Sequence, residues 1–77
     1  MTALDRLRDE RDAADSRLRA AQACLSITVR SYLGMLDEGL GHLRVDELRE
    51  ASRREQEAYA IWSAAVDAVT AAAGDAS

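Results

Sequence analysis

Two stretches of this chain place apolar residues three and four apart, the spacing that gathers side chains on one side of an α-helix. In the first, Leu4, Leu7, Ala14, Leu18, Ala21, Leu25, Val29, Tyr32 or Leu33, and Leu36 form a stripe that Arg11 interrupts. In the second, Leu48, Ser52, Glu55, Tyr59, Trp62, Val66, Val69 and Ala73 follow in steps of four and three. The chain has no proline, the strongest helix breaker, and it is rich in alanine, leucine, arginine and glutamate, which are among the best helix formers. The pattern predicts an all-α fold, an antiparallel two-helix hairpin with a long helix over about 3–38, a turn over 39–45 and a second helix over about 46–73.

The punctuation between these stretches agrees. Thr2 and Asp5 have the spacing of a capping box, in which hydroxyl and carboxylate take up backbone N–H groups at the start of the first helix. Gly39 suits the left-handed position that ends a helix and lets Leu40 fold back on Met35. Asp46 suits a cap for the second helix, with Glu47 and Glu50 at the positive end of its dipole. Ser26-Ile27-Thr28-Val29, followed by Gly34, is weakly helical and leaves a bend in the first helix open. Residues 1–77 read as one domain, and 74–77 as a frayed tail.

Each helix has a second stripe of smaller residues, Ala13, Ala20, Cys24, Ile27, Ser31 and Gly34 on the first and Ala51, Ala58, Ala65 and Ala72 on the second. Folding about the turn sets position i of the first helix beside a position near 84 − i of the second. Leu25 then meets Tyr59 and Leu18 meets Val66, while Leu4, Leu7 and Arg11 lie where the second helix runs out of bulk. One hairpin covers only one stripe per helix, and 77 residues bury a modest share of their surface. The single cysteine rules out a disulfide within the chain. The hairpin is therefore expected to dimerise into a four-helix bundle, as a homodimer or higher assembly, through Leu18, Leu25, Ala51, Glu55, Ala58, Tyr59, Trp62, Ala65, Val66 and Val69.

Charge narrows the partners. The formal net charge is −4, and all ten basic residues are arginine. That balance opposes general binding to a phosphate backbone, although Arg49, Arg53 and Arg54 make one basic cluster through which a hairpin dimer would grip RNA or DNA. Apolar runs are too short to span a bilayer and the N-terminus lacks a signal-peptide core, so a cytoplasmic protein is expected.

Chemistry is sparse. His42 stands in the turn among Asp37, Glu38 and Asp46 without a helical metal-ligand spacing, and reads as an exposed loop histidine. Cys24, without a histidine at helical spacing, reads as a buried and inert thiol. Gly39-x-Gly41 lacks the third glycine and preceding strand of a dinucleotide loop. Glu55, an acid within the apolar stripe, is expected to pair with Arg30 or with an arginine of a second chain. No catalytic residue, metal or cofactor is expected.

The opening LDRLRDERDAADSRL resembles the first helix of the small helical chorismate mutases, over about fifteen residues. That resemblance implies a substrate arginine at Arg8, but it puts Leu25 and Leu36 where the family has its next arginine and its lysine. The hairpin is also similar to secreted helical hairpins named for a Trp-x-Gly turn, but here Trp62 stands well inside the second helix. The residues themselves favour a small non-enzymatic module for oligomerisation and binding of another protein, structural, adaptor or regulatory. The alternatives are the nucleic-acid-binding hairpin dimer and the chorismate-mutase-like enzyme.

Overall fold

A computed structural model describes residues 2–75. Helix α1 spans Ala3–Asp37, a 3₁₀ turn spans Gly41–Leu43, and helix α2 spans Val45–Asp75. Gly74 and Asp75, expected to fray, belong to α2, while Ala76 and Ser77 of the expected tail lie outside the described residues.

The start of α1 is the capping box its sequence implies. The Asp5 N–H donates to Thr2 Oγ1 at 3.1 Å, and the Thr2 N–H donates to Asp5 Oδ2 at 3.4 Å. The helix runs unbroken through Ser26–Gly34, where the Thr28 hydroxyl donates to the Cys24 carbonyl one turn back at 2.8 Å. Gly39, at φ 77°, ends it: the Leu40 N–H donates to the Met35 carbonyl at 2.7 Å and the Gly39 N–H to the Leu36 carbonyl at 3.0 Å. These two bonds satisfy carbonyls that would otherwise have no partner at the helix end. The Leu48 N–H donates to the Arg44 carbonyl, so α2 begins earlier than expected and Asp46 lies inside its first turn instead of capping it. There it still faces the positive end of the helix dipole.

The residues shielded from solvent define the seam. On α1 those that form it are Leu4, Leu7, Arg11, Ala14, Leu18, Ala21, Leu25, Thr28, Tyr32 and Met35, and on α2 Leu48, Ala51, Glu55, Ala58, Trp62, Ala65, Val69 and Ala72, while the partly shielded Asp15, Val45, Glu50, Ser52, Ser63, Val66 and Ala68 flank it. Both series alternate strictly by three and four, a 3.5-residue period that winds helices into a left-handed coiled coil. This corrects the expected faces. Thr28 and Met35 replace Val29 and Leu36, which are exposed, Tyr32 and not Leu33 is the one of that pair in the seam, and the alanine stripe of α2 faces α1 while Tyr59 turns outward.

The register is corrected as well. Surface clefts between the helices group Cys24 and Thr28 with Glu47 and Ala51, Arg17 with Ala58, and Glu10 with Ala65. Position i of α1 therefore lies level with about position 76 − i of α2. At this register Leu4 falls level with Ala72, Ala14 with Trp62, Leu18 with Ala58 and Leu25 with Ala51. Large side chains thus face small ones, whereas the expected register sets large against large, which overpacks a helix–helix seam. The last turns of α1 overhang the start of α2, and the connection runs back along them. Gly41 is buried there, and a Cβ on it would stand 2.5 Å from Leu36 Cδ2.

The result is a rod of 58 × 15 × 14 Å with a radius of gyration of 17.3 Å, against about 11 to 12 Å for a compact chain of this length. Its core is thin. Ala14, Leu18, Ala51 and Val69 are the buried apolar side chains among the described residues, and none is completely enclosed.

Candidate interaction surface

Alanine at every second seam position of α2 draws the two helices together, which pushes larger residues at the flanking positions out to the rims. Along one rim, three clefts follow one another from Glu10 to Thr28 on α1 and from Ala68 to Asp46 on α2. Alanines floor much of this groove, Arg17 and Arg54 cross its middle, and Asp46, Glu47 and Glu50 line its end near the turn, where Arg44 holds Glu47. Ile61 lines two of the clefts and is 54% exposed; Ile27, one helical turn beyond the cleft residue Cys24, is 66% exposed. The opposite rim has two separate apolar groups. Val29, Leu33, Leu36 and Leu40 form a strip at the turn end, and Tyr59 stands at mid-length with its ring centroid 5.7 Å from that of Trp62.

The anticipated interface residues divide between these surfaces. Leu18, Ala51 and Val69 are buried in the seam, and Leu25, Glu55, Ala58, Trp62 and Ala65 are half-buried within it. Val66 is half-buried on the flank and Tyr59 is exposed. Ile61 was missed, because a lone isoleucine beside the main stripe looks like scatter until the seam is assigned to the alanines. Its signal was a place next to a strict three-four series.

Glu55 does not reach Arg30. The register puts Arg30 level with Asp46, nine residues or about 13 Å along α2 from Glu55, and Arg30 is exposed. Arg11 solves the same seam problem by extension: its guanidinium leaves the seam for Asp12 at 3.1 Å while its stem stays half-buried. One helical turn further on, Arg19 pairs with Asp15 at 3.1 Å.

The basic cluster of α2 is tied down. Arg53 donates to Glu50 at 2.5 and 3.1 Å and also to Glu57, and Arg54 Nε donates to Glu50 at 3.1 Å. The Arg53 hydrogen bond, reinforced by Arg54, holds the Glu50 carboxyl below its ordinary value, and Glu50 in turn raises Arg53. Two of the three arginines considered for nucleic acid thus already hold carboxylates, while Arg49 is exposed.

The chemical candidates do not converge. Cys24 is exposed, not buried as expected, because it lies on the groove rim beside the seam. His42 is exposed on the 3₁₀ turn, and among the described residues no three His, Cys, Asp or Glu side chains gather as a metal site would require. Arg8 is exposed, Leu25 lies in the seam and Leu36 is exposed on the far rim, so the three positions of the chorismate-mutase comparison do not surround one pocket. Among the described residues no helix is long and apolar enough to cross a membrane. No known protein family, curated protein or solved structure matches this chain.

Proposed function

We propose that the chain is a non-enzymatic helical module that self-associates, as a homodimer forming a four-helix bundle, and presents the remaining surface to another protein. The thin core carries this reading: among the described residues four apolar side chains are buried, two of them alanine, against seven large apolar residues left exposed. Fully burying a large side chain contributes about 1.5 to 3 kcal/mol, and ordering the backbone costs about 1 to 2 kcal/mol per residue. A hairpin so sparsely buried gains from any further burial. Its exposed area, 5552 Å², exceeds by roughly 900 Å² the approximately 4,600 Å² of a compact monomer of 8.4 kDa. That excess is close to the roughly 800 Å² each partner buries in a standard interface. The exposed single thiol suits a reducing, cytoplasmic setting.

Thermal unfolding followed by circular dichroism across a hundredfold dilution tests the reading. A melting temperature that falls with concentration is the expected result, and a concentration-independent transition of a compact monomer overturns it. Nucleic-acid binding competes as an outcome. It requires an affinity for RNA or DNA that falls steeply with salt and is lost on replacing Arg49, Arg53 and Arg54.

A further inference from the structure

The geometry points to the alanine-floored groove, and not the leucine strip near the turn, as the surface on which a second copy of this chain docks. The inference rests on the self-association proposed above and names its face. A two-fold interface must be complementary to itself, since each feature meets the partner's image of another feature on the same patch. The groove meets this condition. Ile61 is level with about residue 15 of α1, so the point midway between Ile61 and Ile27 is level with about residue 21.

A two-fold axis there brings Ile61 of each copy level with Ile27 of the other, pairing the two most exposed large aliphatic side chains among the described residues. The same axis carries Arg17 to within about one and a half helical turns of Asp46 of the second copy, the carboxylate of that cleft with no arginine partner among the described residues, since Glu47 already holds Arg44 and Glu50 holds Arg53 and Arg54. Arg17 is exposed and makes no ion pair among the described residues, and it lines two of the clefts. Residue 21 also lies next to the midpoint of α1, so the copies overlap along their full length, as burial of about 800 Å² per partner requires. About a two-fold perpendicular to the rod, the leucine strip, which lies at one end, permits no such overlap.

Cys24, on the same face, is a native reporter. Sedimentation equilibrium gives the association constant of the intact chain, and the rate of Cys24 alkylation is followed through the concentration range in which it assembles. The expected result is a dimer in which alkylation slows at least about tenfold, as burial of the thiol beneath a partner requires. Ile27→Asp and Ile61→Asp, both at exposed positions, should each weaken association about a hundredfold while preserving helicity, in keeping with central interface positions. Leu33→Asp should leave association unchanged. A dimer that leaves Cys24 fully reactive, or that survives both isoleucine changes and is lost with Leu33→Asp, overturns the face but leaves self-association intact. A chain that stays monomeric at every concentration overturns both.

Discussion

Two glycines of α1 and its terminus should respond to alanine in opposite directions. Gly39 holds φ 77°, where a Cβ is strained although nothing stands within 4 Å of it, and its conformation lets its own N–H and that of Leu40 close the helix on the Leu36 and Met35 carbonyls. Gly39→Ala should cost about 1 kcal/mol. Gly34 is inside the helix with open space around it, so Gly34→Ala should add about 0.4 to 1 kcal/mol by restricting the unfolded chain. Urea unfolding of the two variants at equal protein concentration measures both signs. Charge at the residue scale is read through Glu50. Its carboxyl is held below the ordinary value, chiefly by Arg53, so its contribution is present above the unfolded-state value and is lost as pH falls through the lowered folded one. The melting temperature of the protein should therefore converge on that of Glu50→Gln as the solution is acidified from neutrality into that range. In an NMR titration, Arg53→Gln should move the Glu50 midpoint upward.

At the scale of the element, Glu55 is the residue that local pattern rules leave least satisfied. It sits in an otherwise apolar seam, level with Ala21, half-buried and far from Arg30. Glu55→Leu should raise the stability of the hairpin by about 1 kcal/mol through added apolar burial, visible as a higher urea midpoint. A lower midpoint would show that the carboxylate takes part in an interaction that the single chain lacks. The helices, the capping box and the Gly39 stop were legible in the sequence because each rests on contacts within a few residues. The seam was not fully legible. Choosing the more apolar residue at each step leads from Leu25 to Val29 and Leu36 and leaves Tyr32 and Leu33 undivided, whereas the strict three-four alternation continues through Thr28, Tyr32 and Met35. On α2 the same preference selects Tyr59 and Val66 over Ala58 and Ala65. Apolar character ranks side chains one at a time, but two long helices select a shared period and a fit of large against small, which no single residue displays. The register error has the same source, since 84 − i follows from the turn alone and ignores the α1 overhang against which Gly41 packs.

At the scale of the whole molecule, shape discriminates between faces that residue chemistry alone leaves comparable. A single rod is 58 Å long with a radius of gyration of 17.3 Å. Docking through the groove, about a two-fold near the middle of α1, stacks two rods side by side, so the longest dimension should stay near 60 Å while the cross-section roughly doubles, as in a four-helix bundle. Docking through Val29, Leu33, Leu36 and Leu40 about a two-fold perpendicular to the rod places the axis near the turn end, about fourteen residues from the middle of α1. At about 1.5 Å per residue, that slides the rods apart by about 40 Å and lengthens the particle to roughly 100 Å. Small-angle scattering of the assembled protein should therefore show a doubled mass with a maximum dimension close to that of one chain. A doubled mass with a strongly lengthened particle would assign the interface to the leucine strip. The isoleucine groove would then be the face left open for a different partner.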